Sequence, residues 1–333
     1  CSKTEPAAND GAAALQPVIN AHLHASWPSF DDAEQRARLI QEMTENGIAL
    51  SVLHINTTSD IDDWPRAAPG LFIAAPAFPC PIDTGDPTHE CFIESGGWPP
   101  LDWLEEGLAS GDIGALGEML FNYTGVAAND PRMDPYWTLA AKYDAPVFVH
   151  ISRGPPPGSR SRPEACCPDF DADLGDPELL RPTLEKYPTL KIALQHAGFP
   201  PMPEMGNIDY WEETLSLMRD YPNVYADMTI TNSVIPAGIH AAALQRFIDE
   251  GFADRIMFGT DNMPAAPIIA RLEGFDFLTP AQRRGILYDN AARFLRLDAE
   301  TIDRHHGRWP DGDSSRPRLK ALTVGLGVDL SKV

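Results

Sequence analysis

Short apolar, β-branched runs alternate along most of the chain with segments whose apolar positions recur every three or four residues. The runs at 17–24, 49–55, 71–77, 113–120, 146–151, 190–196, 224–228 and 255–260 predict strands, because each is bounded by turn-forming residues. Segments 31–45, 135–143, 177–187, 210–221 and 239–251 predict amphipathic helices. Ser29 and Asp31 are suitable caps for the first of these, and Asp176 followed by Pro177 marks another start. Strands that alternate with helical crossovers pair in parallel, since a parallel neighbour needs a long connection. Eight such units in one α/β chain predict closure into a (β/α)8 barrel, the TIM-barrel architecture, with an open doubly wound sheet as the alternative.

Two connections are long and rich in Pro and Gly, 78–100 after the third strand and 152–176 after the fifth. Loops of that length in a compact domain are usually functional. After a barrel strand they lie at the mouth where active sites are built. The expected organisation is a polar, Ala/Gly-rich tether over 1–16, a barrel over 17–297 and a polar extension over 298–333 that reads as an appendage.

Composition narrows the class of partner. The chain has 333 residues, and its 48 acidic against 26 basic side chains give a formal charge of −22. That balance disfavours nucleic acid and anionic lipid surfaces, which are met by Lys/Arg patches. A small-molecule substrate fits better. No apolar run approaches the ~20 residues of a membrane-spanning helix. The sequence starts at Cys1 followed by a small polar stretch, the pattern of a mature bacterial lipoprotein held by a lipid on that cysteine and facing the periplasm. In an oxidising compartment Cys80, Cys91, Cys166 and Cys167 could pair in three ways. Cys80 with Cys91 closes a short loop and is the preferred pairing, while none of the four has C-x-x-C metal spacing.

Candidate chemistry begins with Ile19-Asn20-Ala21-His22-Leu23-His24. Side chains at i and i+2 share a strand face, so His22 and His24 converge if that face turns inward. A lone His-x-His is weak, but the pattern repeats around the chain. Glu118 stands toward the end of the fourth strand run, His150 closes the fifth, His196 the sixth, and Asp261 follows the eighth. Each ionisable group follows an apolar run at the place where a barrel presents catalytic residues, and buried charges gathered there need a metal or a tight network.

The order His-x-His, Glu118, His150, His196-Ala197-Gly198 and Gly259-Thr260-Asp261 resembles the amidohydrolase superfamily, in particular its amidohydrolase-2 branch. The segment 284–294 resembles the branch's closing helix, and the similarity spans roughly 17 to 297. The resemblance implies a TIM barrel with a divalent metal at the C-terminal mouth, held by His22, His24, His150 and Asp261. Zinc is the first choice, with manganese, iron or cobalt as alternatives. Glu118 is either a further ligand, which would decide between one and two ions, or orients a ligand histidine or the substrate. The resemblance implies that His196 is either a catalytic base or a residue supporting the ligands from behind, and that Asp261 can double as proton shuttle. Asn20 stands where the branch commonly has Asp, and no Lys occupies the strand-four position of a carbamylated binuclear centre. The branch contains hydrolases and decarboxylases, and its members are often homodimers.

Around this set Arg153, Tyr123 and Trp27 are candidate substrate contacts, with Asn122 and Arg132 weaker ones and Arg160 and Arg162 near Arg153 in the long loop. An Arg at the mouth would suit a carboxylate through bidentate pairing. His54 either walls the pocket or is a satisfied core histidine, the latter being preferred. His89 and His240 read as surface residues and His305-His306 as part of the tail. The expected function is metal-dependent hydrolysis of a small-molecule C–O or C–N bond in a lactone, ester or amide. The alternatives are non-oxidative decarboxylation of an aromatic or dienoic acid, and an inactive ligand-binding lipoprotein.

Overall fold

The computed structural model describes residues 16–25, 33–81, 91–154, 167–201 and 209–308. The expected tether up to residue 15, the caps Ser29 and Asp31, Trp27, His89, Cys166, Arg160, Arg162 and the chain beyond 308 lie outside them. Eight strands appear where the apolar runs predicted them: β1 Val18–His24, β2 Ile48–Ile55, β3 Phe72–Pro76, β4 Leu116–Met119, β5 Val147–His150, β6 Ile192–Gln195, β7 Val224–Asp227 and β8 Ile256–Met257. All ladders are parallel, in the orders β1-β2-β3 and β4 through β8.

Backbone hydrogen bonds join the two sheets at both seams. Between β3 and β4, Gly114 N donates to Ala74 O (3.1 Å), Phe78 N to Glu118 O (2.9 Å) and Leu120 N to Phe78 O (3.2 Å). Between β8 and β1, Ala21 N donates to Phe258 O (2.8 Å) and Asp261 N to His22 O (2.9 Å). The Asn20 side chain reinforces the second seam, donating to Thr260 Oγ1 (2.9 Å) and accepting from Thr260 N (3.0 Å). The architecture is a TIM barrel, and the residue at Asn20 is one of its seam bolts.

Alternation along each strand divides the core. Val147, Val149, Ile192, Leu194, Val224 and Ala226 face the surrounding helices, where Trp137, Leu184, Leu215 and Phe247 are buried. Phe148, Ala193, Tyr225 and Met257 face the barrel axis with Ile19, Ala21, Leu50, Val52, Ala75 and Ala115. Small alanines among a few large rings fill the narrow interior without overpacking. Phe294 closes the interior from the strands' N-terminal side, its ring 5.4 Å from Phe148 and 4.9 Å from Tyr225.

Helices Ala33–Glu45, Asp134–Tyr143, Trp211–Asp220 and Ala237–Asp249 match the periodic segments. The predicted 177–187 helix divides into a 3₁₀ turn, Pro177–Leu180, and an α-helix, Arg181–Lys186, and Asp176 caps the turn by accepting from Glu178 N (2.9 Å). Helices Asp60–Ala67, Leu101–Ser110 and Ala265–Glu273 were not anticipated. The first carries an acidic run and an internal Pro65, which mask its periodicity, yet Trp64 anchors it at 0% exposure.

Two expectations about exposure are corrected. His240 is buried, because it lies on the same helical stripe as Ala243, Leu244 and Phe247, and its ring meets Phe275 at 5.2 Å. The extension does not begin as an appendage: Ala299–Arg308 is a helix, Ile302 packs on the inner core, and buried His305 Nδ1 lies 2.9 Å from the Tyr288 hydroxyl. Cys80 and Cys91 form the preferred disulfide, packed with Ala77, Leu120 and Tyr123. Cys167 is disulfide-bonded as well.

Candidate metal centre

The ionisable residues expected from the sequence meet at the C-terminal ends of the strands. His22 Nε2 lies 3.6 Å from Asp261 Oδ1 and 3.9 Å from Glu118 Oε1. His24 Nε2 lies 3.4 Å from Asp261 Oδ1 and 3.4 Å from Glu118 Oε2. His150 Nδ1 donates to Glu118 Oε1 at 2.7 Å, and His196 Nε2 lies 3.4 Å from the same oxygen. Apart from Asp261 and His150 at the rim, 15% and 11% exposed, the set is buried, with His22 at 0% exposure.

The convergence of His22 and His24 has a local cause. Ile19 and Ala21 already face the axis, so regular alternation would send His22 and His24 outward with Val18. The β1–β2 register shifts between Asn20 and Leu23, and this irregularity changes the parity so that both histidines also face inward. After β6, His196, Ala197 and Gly198 take consecutive left-handed φ values of 65°, 58° and 69°. That turn aims His196 over the barrel, and Asp227 Oδ1 holds it by accepting from His196 N (3.1 Å). Asn262, also left-handed at φ 58°, clamps the end of β1, accepting from His24 N (2.8 Å) and donating to His24 O (3.3 Å).

Asp227 and Asn262 were not singled out in the sequence. Asp227 ends a strand as the other site residues do, so its position was the available signal. His54 has both ring nitrogens engaged: Nδ1 donates to Gly117 O (2.7 Å) and Nε2 accepts from Gln195 Nε2 (2.7 Å). It is the satisfied core histidine that was preferred, although its ring also floors the site at 5.2 Å from both His22 and His24.

The electrostatics follow from many charges in little water. Burial alone would raise the Glu118 carboxyl, but the imidazoles of His150, His196 and His22 hold it well below the usual carboxylate range. Asp261 is depressed in the same way by His22, His24 and His196 against the opposing effect of burial. Burial lowers His150, and burial with the neighbouring His24 and His22 pushes His54 down to about 3. His196 is pushed up to about 9: burial opposes this, but Glu118, Asp261 and Asp227 together outweigh it.

The donor set fits a divalent cation. Donor atoms around a tetrahedral ion at ~2.1 Å stand roughly 3.4 Å apart, and the His22 and His24 nitrogens lie 3.4–3.9 Å from the Glu118 and Asp261 oxygens. His22 Nε2 is buried without a hydrogen-bond partner, an arrangement that costs free energy unless a cation uses the lone pair. Two overlapping triads, His22–Glu118–His196 and His22–His24–Asp261, each keep their donor atoms within 4.8 Å.

The substrate candidates are placed less centrally. Tyr123 stands edge-on to His150, ring centroids 5.3 Å apart, with Phe170 5.5 Å from it, so it walls the site. The guanidinium of Arg153 lies over the Tyr210 ring at 4.4 Å and pairs with Asp173 at 3.0 Å. Asn122 is buried and donates to Ser152 O (2.9 Å), tying the β4 and β5 loops together. Arg132 pairs with Asp130 at the surface.

A parallel eight-stranded barrel whose C-terminal mouth gathers His, Asp and Glu side chains that could hold a metal ion defines a class of TIM-barrel proteins. The amidohydrolase family model matches residues 94–297, more than half of the chain, and the chain belongs to that family. The matched span holds Glu118, His150, His196 and Asp261, with His22 and His24 upstream of it. Solved structures share the fold at low identity. A probable 2-pyrone-4,6-dicarboxylic acid hydrolase from Acinetobacter baumannii has a TM-score of 0.58 and 14% identity over 85% of this chain and 100% of its own. An uncharacterized TIM-barrel protein from Bordetella bronchiseptica gives 0.55 and 19% over 86% and 100%. The 2,6-dihydroxybenzoate decarboxylase from Rhizobium gives 0.53 and 16% over 86% and 100%. No curated protein matches the chain.

Proposed function

We propose that this protein is a metal-dependent hydrolase that cleaves a C–O or C–N bond of a small lactone, ester or amide. The observation that carries the reading is the cage of His22, His24, Glu118 and Asp261, whose donor atoms stand 3.4–3.9 Å apart. Zinc suits two imidazoles with carboxylates, and manganese, iron or cobalt fit the same donors. A divalent ion held there supplies Lewis acidity, which lowers the pKa of water toward ~7 and polarises a carbonyl oxygen.

The chain's own groups supply the rest. Asp261, kept ionised by its histidine neighbours, accepts the proton of the attacking water and returns it to the leaving group. His196 presents Nε2 to the cage, where it steadies the charge developing on the carbonyl oxygen. Glu118 anchors His150 and completes the donor set. Tyr123 offers a flat wall for the scissile group's substituent. The test is metal content by mass spectrometry on protein purified without chelator, followed by a lactone, ester and amide panel. About one equivalent of zinc and a turnover lost in the His22→Ala/His24→Ala variant support the reading; turnover retained in that variant sinks it.

Decarboxylation of a small aromatic or dienoic acid is the second reading, favoured by the fold shared with a 2,6-dihydroxybenzoate decarboxylase. Arg153 would hold the carboxylate after leaving Asp173, an exposed pair of small energetic weight. Carbon dioxide release from such acids, lost in Arg153→Ala, separates the two chemistries.

A further inference from the structure

Beneath the cage sits a carboxylate that the proposed reaction does not use. Asp227, at the end of β7, is fully buried, and its Oδ1 accepts from His196 N (3.1 Å), Thr229 N (3.0 Å) and Thr229 Oγ1 (2.8 Å). Its Oδ2 lies 3.2 Å from His22 Nδ1. Thr229 Oγ1 in turn lies 2.9 Å from His196 Nδ1 and 3.1 Å from His22 Nδ1. Proton accounting fixes the roles. An ionised carboxylate can only accept, so His22 Nδ1 carries the hydrogen and donates to Asp227. The single Thr229 hydroxyl hydrogen goes to Asp227, so Thr229 Oγ1 accepts from His196 Nδ1.

We propose that Asp227 and Thr229 are a positioning pair that sets the tautomer of His22 and the orientation of His196, turning Nε2 of both toward the metal cage. The proposal rests on the metal-binding reading of that cage. A ligand imidazole must offer a lone pair, and the partner of its other nitrogen decides which end offers it. Here the lone pair of His22 Nε2 faces Asp261 and Glu118. His196 keeps its Nδ1 hydrogen on Thr229, which leaves Nε2 facing Glu118 on the cage side. Thr229 packs closely against β8, since a methyl at Gly259 would lie 2.7 Å from Thr229 Cγ2.

The experiment compares wild type with Asp227→Asn, Thr229→Val and Thr229→Ser. Zinc affinity is read by competition with a chromophoric chelator, and imidazole tautomers by ¹⁵N NMR of the zinc-free and zinc-loaded protein. Asp227→Asn and Thr229→Val are expected to weaken zinc ~10–100-fold, with Thr229→Ser within ~3-fold of wild type. The zinc-free wild type is expected to show His22 protonated at Nδ1. Wild-type zinc affinity in both Asp227→Asn and Thr229→Val overturns the proposal, as does a His22 hydrogen on Nε2. If Asp227→Asn does not fold, the Thr229→Val and Thr229→Ser comparison decides by itself. A wild type that refuses zinc refutes the metal reading, and the zinc-free tautomer then decides this proposal separately.

Discussion

Gly259 is the position where one added carbon should report on the whole centre. A Cβ built there would meet Thr229 Cγ2 at 2.7 Å and His22 Cβ at 2.8 Å, where ordinary contact begins at 3.4 Å. Gly259→Ala therefore forces two neighbours to retreat by about 0.6–0.7 Å, or the β8 backbone to shift, at ~1–3 kcal/mol for an overpacked core. Neither neighbour is free to yield. His22 is tied through its backbone to β8 and through Nδ1 to Asp227, and Thr229 is tied to Asp227. The expected thermal shift is roughly 1–4 °C downward. Because metal sites tolerate only ~0.5 Å of ligand displacement, zinc affinity should fall ~10-fold or more. The assay is a thermal melt with and without zinc, paired with chelator competition. Gly238→Ala is the control, since its added carbon meets nothing within 4 Å and it lies on an exposed helix face. A Gly259→Ala protein with wild-type melting and wild-type zinc affinity would refute the claim that His22 and Thr229 are immovably packed.

Other outcomes can be checked alongside. Glu118→Gln should weaken zinc by ~100-fold, taking structural zinc at ~10–16 kcal/mol spread over four ligands, and titration calorimetry showing an unchanged affinity would remove Glu118 from the donor set. Phe294→Ala should cost ~3–5 kcal/mol, because it empties the plug beneath Phe148 and Tyr225; chemical denaturation measures it. Cys80→Ser with Cys91→Ser should cost ~3 kcal/mol by the chain entropy of an 11-residue separation, read as the shift in urea midpoint. Burial and nearby Arg271 push His240 down to about 3, so the folded protein keeps it neutral while the unfolded chain takes up a proton below ~6.5. Its contribution is thus present above that pH and is lost as pH falls toward 3. His240→Leu should lose about 2 kcal/mol less stability than wild type between neutral pH and pH ~4.5, and parallel denaturation curves for the two proteins would contradict this.

The sequence determined what local periodicity can encode. Short apolar, β-branched runs located all eight strands, though most ladders span less of each run, as where 255–260 is reduced to Ile256–Met257. Strand-end positions singled out His22, His24, Glu118, His150, His196 and Asp261, and these do converge. Helices were legible where apolar spacing was clean and illegible where Pro65 and an acidic run obscured a segment held by Trp64. His240 was legible in hindsight, since its stripe with Ala243, Leu244 and Phe247 is a pattern of three and four residues. Only the tertiary structure decided the rest. The parity change in β1 depends on its pairing with β2, and barrel closure depends on hydrogen bonds between segments more than two hundred residues apart. The burial of His305 depends on Tyr288 waiting beneath the barrel. Which nitrogen His22 offers depends on Asp227, which is 205 residues away in sequence and 3.2 Å away in space. Periodicity is a property of neighbours along the chain. Tautomer, ligand spacing and burial are properties of neighbours across it, and no single segment carries them.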